Sequence, residues 1–81
     1  MGEWESAVSH YNQAIDIARD VSDKQGETRH AWNLGILLQD SDPQQAIDLM
    51  MICVEFERAI GHPDTEKDMA KVEGIKRKHN L

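Results

Sequence analysis

The chain has 81 residues, 40 % hydrophobic and 30 % charged, with a formal net charge of −6. That is one small core, too little for two catalytic domains, and a surface too acidic to track a nucleic-acid backbone. A single cysteine, Cys53, excludes an internal disulfide and an all-cysteine zinc site, and the longest apolar runs, Ile36–Leu38 and Leu49–Val54, are too short to span a bilayer. No charged-then-apolar leader opens the sequence, so the expected location is cytoplasmic, with no membrane and no nucleic acid among the partners.

Four helices are expected. In the first, from about Glu3 to Ser22, Trp4, Ala7, Val8, Tyr11, Ala14, Ile15 and Ala18 recur at three- and four-residue steps and share one face. Glu3 and Glu5 lie in its first turn, where carboxylates are favoured. The second runs from about Lys24 to Asp40, capped by Asp23, with Ala31, Leu34, Gly35 and Leu38 as its apolar stripe. A mid-helix glycine costs about 1 kcal/mol relative to alanine. Close approach of another helix backbone is the expected compensation at Gly35.

Asp42 caps the third helix and Pro43 suits its first position, which needs no amide hydrogen. Its apolar residues, Ala46 to Ile60, spread too far round for a surface helix, so it is expected to be the central and most buried element. Gly61-His62-Pro63-Asp64 closes it in a left-handed turn and opens the fourth helix. That helix reaches about Lys78 on a spine of Met69, Val72 and Ile75. Residues 71–81 hold four of the nine Lys and Arg and one of the fifteen acids. Cations at a helix C-terminus complement the macrodipole, and that accounts for the basic tail.

The chain resembles itself at an offset of 39. Ala7 aligns with Ala46, Arg19 with Arg58, Glu27 with Glu66, Ala31 with Ala70, Gly35 with Gly74 and Ile36 with Ile75. Val8 with Ile47, Ile15 with Val54 and Val21 with Ile60 are conservative matches. The fold class expected for residues 1–81 is therefore all-α: four antiparallel helices in one helix-turn-helix repeat domain.

The segment Ala31-Trp32-Asn33-Leu34-Gly35-Ile36-Leu37-Leu38 resembles the first helix of a tetratricopeptide (TPR) repeat. Ala46, Met50 and Cys53 resemble its second helix, as do Ala7, Tyr11 and Ala14 one repeat earlier. The offset is similar to the long-period variety of the family, about 39–42 residues against the usual 34 or so. Glu73 and Arg77 depart from the apolar pattern and mark the fourth helix as a cap with one wet face. The resemblance implies a TPR-like solenoid fragment and a non-catalytic module that binds a peptide or helix of another protein. Rival readings are a structural oligomerisation bundle and a regulatory fragment of a larger signalling protein.

With Ala31, Leu34 and Leu38 facing inward, Arg29, Trp32, Asn33 and Ile36 line another side of the second helix. In the family that side resembles the ligand groove, which Lys71 and Lys78 would make attractive to an acidic peptide. The resemblance gives Asn33 the role of holding a ligand backbone, since an amide both donates and accepts. The alternative for Trp32 is packing on Val72 or Ile75 of the fourth helix. Two repeats are marginal for a solenoid, which predicts a homo-oligomer formed through Trp4, Val8, Tyr11 and Ile15, with Ile17 and Val21 extending that face. His10, His30, His62 and His79 show no helical zinc spacing. No nucleophile, carboxylate pair or glycine-rich loop has a catalytic setting, so neither metal nor cofactor is expected and the chain reads as a non-enzyme.

Overall fold

A computed structural model describes residues 2–81. Four helices follow one another: α1 (Gly2–Asp20), α2 (Lys24–Leu38), α3 (Pro43–Ile60) and α4 (Thr65–His79). No strand occurs among the described residues. The ends are set by local chemistry. The Asp23 carboxylate accepts from the Gly26 amide at 2.9 Å and that of Asp42 from the Gln45 amide at 3.2 Å, each occupying a donor left free in a first helical turn. Pro43 stands in the first turn of α3, and Gly61 ends that helix at φ 68°.

The 39-residue period returns in the turns. After α1, Ser22 adopts φ 58°; its amide bonds to the Arg19 carbonyl at 3.1 Å and the Asp23 amide to the Ala18 carbonyl at 2.7 Å. After α3, the Gly61 amide bonds to the Arg58 carbonyl at 3.3 Å and the His62 amide to the Glu57 carbonyl at 2.8 Å. Both are the left-handed close that satisfies a helix's last carbonyls, built on four residue pairs each 39 apart.

Each helix packs on its neighbours in sequence: α1 on α2, α2 on α3, α3 on α4. The backbone forms a slab of 33 × 33 × 15 Å, little thicker than one helix with its side chains, about 10–12 Å. One core joins Ile15 of α1 to Ala31, Leu34 and Leu38 of α2 and Ala46 of α3. A second joins Ile47, Met50 and Val54 of α3 to Val72 and Ile75 of α4. At the edge of the first core the Arg19 guanidinium donates to the Glu27 carboxylate at 2.8 Å, with Lys24 at 3.5 Å. The Arg19 hydrogen bond holds the Glu27 carboxyl below its ordinary value. The pair ties the end of α1 to the start of α2.

Two expectations need correction. The most buried helix is α2, with seven buried residues to the five of α3. Both lie between two neighbours. Leu49, Met51, Ile52, Cys53 and Phe56 of α3 nevertheless stay half-buried. The burial pattern also departs from the 39-residue repeat in α4. Buried Ala31 and Gly35 align in sequence with Ala70, which is exposed, and Gly74, which is half-buried. In α4 the buried positions are Val72 and Ile75 instead. The core of α4 is chosen by its two β-branched residues, not by its small ones.

Gly35 marks the closest helix approach. A Cβ there would stand 2.5 Å from Met50 Cγ and 3.0 Å from the Ala46 carbonyl oxygen, whereas at Gly74 it would meet nothing within 4 Å. Gly74→Ala gains helix propensity, about 1 kcal/mol, and is expected to raise the melting temperature by roughly 4–8 °C for a domain of this size. Gly35→Ala gains the same propensity but overpacks the α2–α3 contact, at a cost of about 1–3 kcal/mol, and is expected to lower it. Thermal unfolding followed by circular dichroism compares the two; equal stabilisation by both would contradict the close contact.

Candidate functional site

Trp32 and Ile36 of α2 are half-buried and pack against the core formed by Ile47, Met50, Val54, Val72 and Ile75. The indole therefore lies against the core that α3 and α4 share. Asn33 is exposed one position further along α2, and Lys71 is exposed on α4. Arg29 is exposed and lines a recess with Thr28, Cys53, Glu57 and His62. Lys78 is engaged elsewhere: its ammonium donates to Asp40 at 2.8 Å, joining the last turn of α4 to the α2–α3 connection and holding the Asp40 carboxyl below its usual range.

The expected self-association face divides. Ile15 is 3 % exposed and belongs to the first core. Val8 and Tyr11 are half-buried against the same core, and the Tyr11 ring lies 6.4 Å from that of His30 on α2. These three residues face α2 because the stripe that looked free in sequence is the one α2 covers. Trp4 remains exposed, at 46 %, with Ile17 at 62 % and Val21 at 68 %. The large apolar residues left open are thus Trp4 and Ile17 of α1 and Val21 in the turn after it.

A third grouping escaped the sequence reading. Cys53 and Glu57, four residues apart on α3, meet Asp68 of α4, with one donor atom from each inside a 4.8 Å circle. Glu57 is 8 % exposed, and its Oε1 has no hydrogen-bond partner. The imidazole Nδ1 of His62 stands 3.7 Å from its Oε2. Burial, together with a hydrogen bond and charge repulsion from Asp68, pushes the Glu57 carboxyl above its ordinary value. Burial and the two acids push the Cys53 thiol up from 9.0 to about 11. Residue types and an i, i+4 pair were visible in the sequence; the third member arrives through the α3–α4 turn, which histidine spacing could not reveal.

No protein-family model, curated protein or solved structure matches the chain. The site rests on its own geometry.

A thiol raised by two units holds on the order of a hundredfold less thiolate at neutral pH, and thiolate is the reacting species. Alkylation of Cys53 by a maleimide in metal-free buffer is expected to be about two orders of magnitude slower in the folded chain than in denaturant. Equal rates would contradict the burial and the acidic surroundings.

Proposed function

We propose that the chain is a non-catalytic protein–protein interaction module. In this reading it is a TPR-like helical solenoid fragment that docks a peptide or helix of another protein along the face shared by α2 and α4. The observation that carries this is the half-buried pair Trp32 and Ile36 over the α3–α4 seam, beside exposed Asn33 and Lys71. An aromatic anchor partly covered by its own core, flanked by polar groups able to pair with a backbone, is the usual make-up of a recognition face. Arg29 and Lys71 favour an acidic segment; Lys78, already paired with Asp40, contributes less. Helices that pack only on their sequence neighbours support the repeat reading.

No helix among the described residues is long and apolar enough to cross a membrane. We place the module in the cytoplasm, where a lone thiol stays reduced. The same surface would serve a regulatory segment of a larger signalling protein.

Peptides selected against the folded chain from a random display library test the reading. Asn33→Ala, Trp32→Ala and Lys71→Ala are each expected to weaken the selected peptides by about 1–3 kcal/mol, with helicity unchanged for Asn33→Ala and Lys71→Ala. Peptides indifferent to all three substitutions would place recognition elsewhere.

The open apolar surface of α1 favours a second reading, self-association. Ile17 and Val21, one turn apart and well exposed, form its contact set, while Trp4 is exposed at the other end of α1. Sedimentation at two well-separated concentrations is expected to give a mass that rises with concentration, and Ile17→Glu to abolish the rise. A monomer at both concentrations with full helicity would contradict self-association and leave peptide docking untouched.

A further inference from the structure

We propose that Cys53, Glu57 and Asp68 form a binding site for a zinc-class divalent cation that joins α3 to α4. The first support is the donor set. One sulfur and two carboxylates, with donor atoms within 4.8 Å of one another, are drawn from two helices onto one spot. Cys53 and Glu57 stand one helical turn apart on α3, so both reach the same side; Asp68 approaches from α4. The second support is the state of Glu57. Its side chain is almost wholly withdrawn from water, yet Oε1 has no donor to accept from. A buried carboxylate oxygen without a partner is costly, and here a second carboxylate lies beside it. The His62 Nδ1, 3.7 Å from Glu57 Oε2, accepts a hydrogen bond from the Asp64 amide at 3.0 Å. A cation among the three donors would supply Glu57 with a partner and turn the repulsion between the two carboxylates into shared attraction.

The chemistry of the donors selects the ion. Calcium takes six to eight oxygens and magnesium a near-ideal octahedron of oxygens; two carboxylates and a thiol offer neither. A thiolate with oxygen or imidazole partners suits zinc, in tetrahedral geometry at about 2.0–2.3 Å per bond. Donors at those bond lengths stand roughly 3.3–3.8 Å apart. The 4.8 Å bound on the three donor separations leaves such an arrangement within reach of the Glu57 and Asp68 side-chain torsions. The fourth position falls to water or to His62, whose ring lies on the same side. Binding displaces the Cys53 thiol proton, and the ion takes its place on sulfur. The product is a cross-link between the two helices of the second core.

The metal-stripped 81-residue chain, titrated with zinc chloride in a calorimeter, is expected to bind one equivalent. Its melting temperature should rise, because the ion binds the folded state. Excess magnesium or calcium should not compete. Cobalt(II) in place of zinc is expected to give a near-ultraviolet thiolate-to-metal charge-transfer band. Cys53→Ser should remove the band, and Asp68→Asn should weaken zinc binding at least tenfold. Helicity measured without metal shows that both variants still fold. Asp68→Asn serves as the second test because Asp68 is only half-buried and lies outside both cores. Absence of binding would overturn the proposal. So would zinc binding that survives both substitutions, which would assign the ion to scattered surface histidines, or a cobalt band unchanged in Asp68→Asn.

Discussion

The contact on which the rest of the molecule depends is the approach of α2 to α3 at Gly35. A side chain there would run into Met50 and the Ala46 carbonyl. Ala46 belongs to the first core and Met50 to the second. The same glycine therefore sets the spacing of both. Fully buried Ala31 and Leu34 on α2 and Ala46 and Met50 on α3 follow from that spacing. With α2 and α3 fixed, α1 needs only Ile15, Val8 and Tyr11 to dock, and α4 only Val72 and Ile75. The outer helices add one stripe each to a centre already formed.

This arrangement explains where the surface carries chemistry. A slab one helix layer deep cannot enclose a cavity, so polar function lies along seams between helices. Trp32 and Ile36 roof one seam, and the Cys53–Glu57–Asp68 group occupies another stretch of the α3–α4 boundary. Both draw on α3, on which Cys53 is half-buried and Glu57 beside it is buried. The ion pairs sit at the slab's corners: Arg19 with Glu27 at the α1–α2 turn, and Lys78 with Asp40 between α4 and the α2–α3 connection. Lys78 and Asp40 are well exposed, so that link fixes geometry more than it adds stability.

Much of this was legible in the residues themselves. Asp23, Asp42-Pro43 and Gly61 act locally, and their caps and turn stand where the sequence puts them. The relation of α1 to α3 was legible too, because its matched pairs, Val8 with Ile47 and Ile15 with Val54, are core residues in both helices. The phase of α4 was not. Ala70 and Gly74 match Ala31 and Gly35 by identity, but small residues matter only where a neighbour presses on them, and nothing presses on Gly74. Ile15 was misplaced for a related reason: a stripe read from one helix does not say which of two adjoining faces the next helix will take. The carboxyl pair of Glu57 and Asp68 depends on how α4 is rotated on α3, and so lay beyond any reading of spacing along the chain.

The central claim is that stability is concentrated where α2 meets α3 and decreases toward α1 and α4. Native-state hydrogen exchange resolved by residue tests it directly, since locally opening helices exchange before the global unit unfolds. The account predicts that amides around Leu34–Leu38 and Met50–Val54 exchange last, at the rate of global unfolding, and that those of α1 and α4 exchange sooner. Protection that is uniform across the four helices, or greatest in α1 or α4, would contradict it.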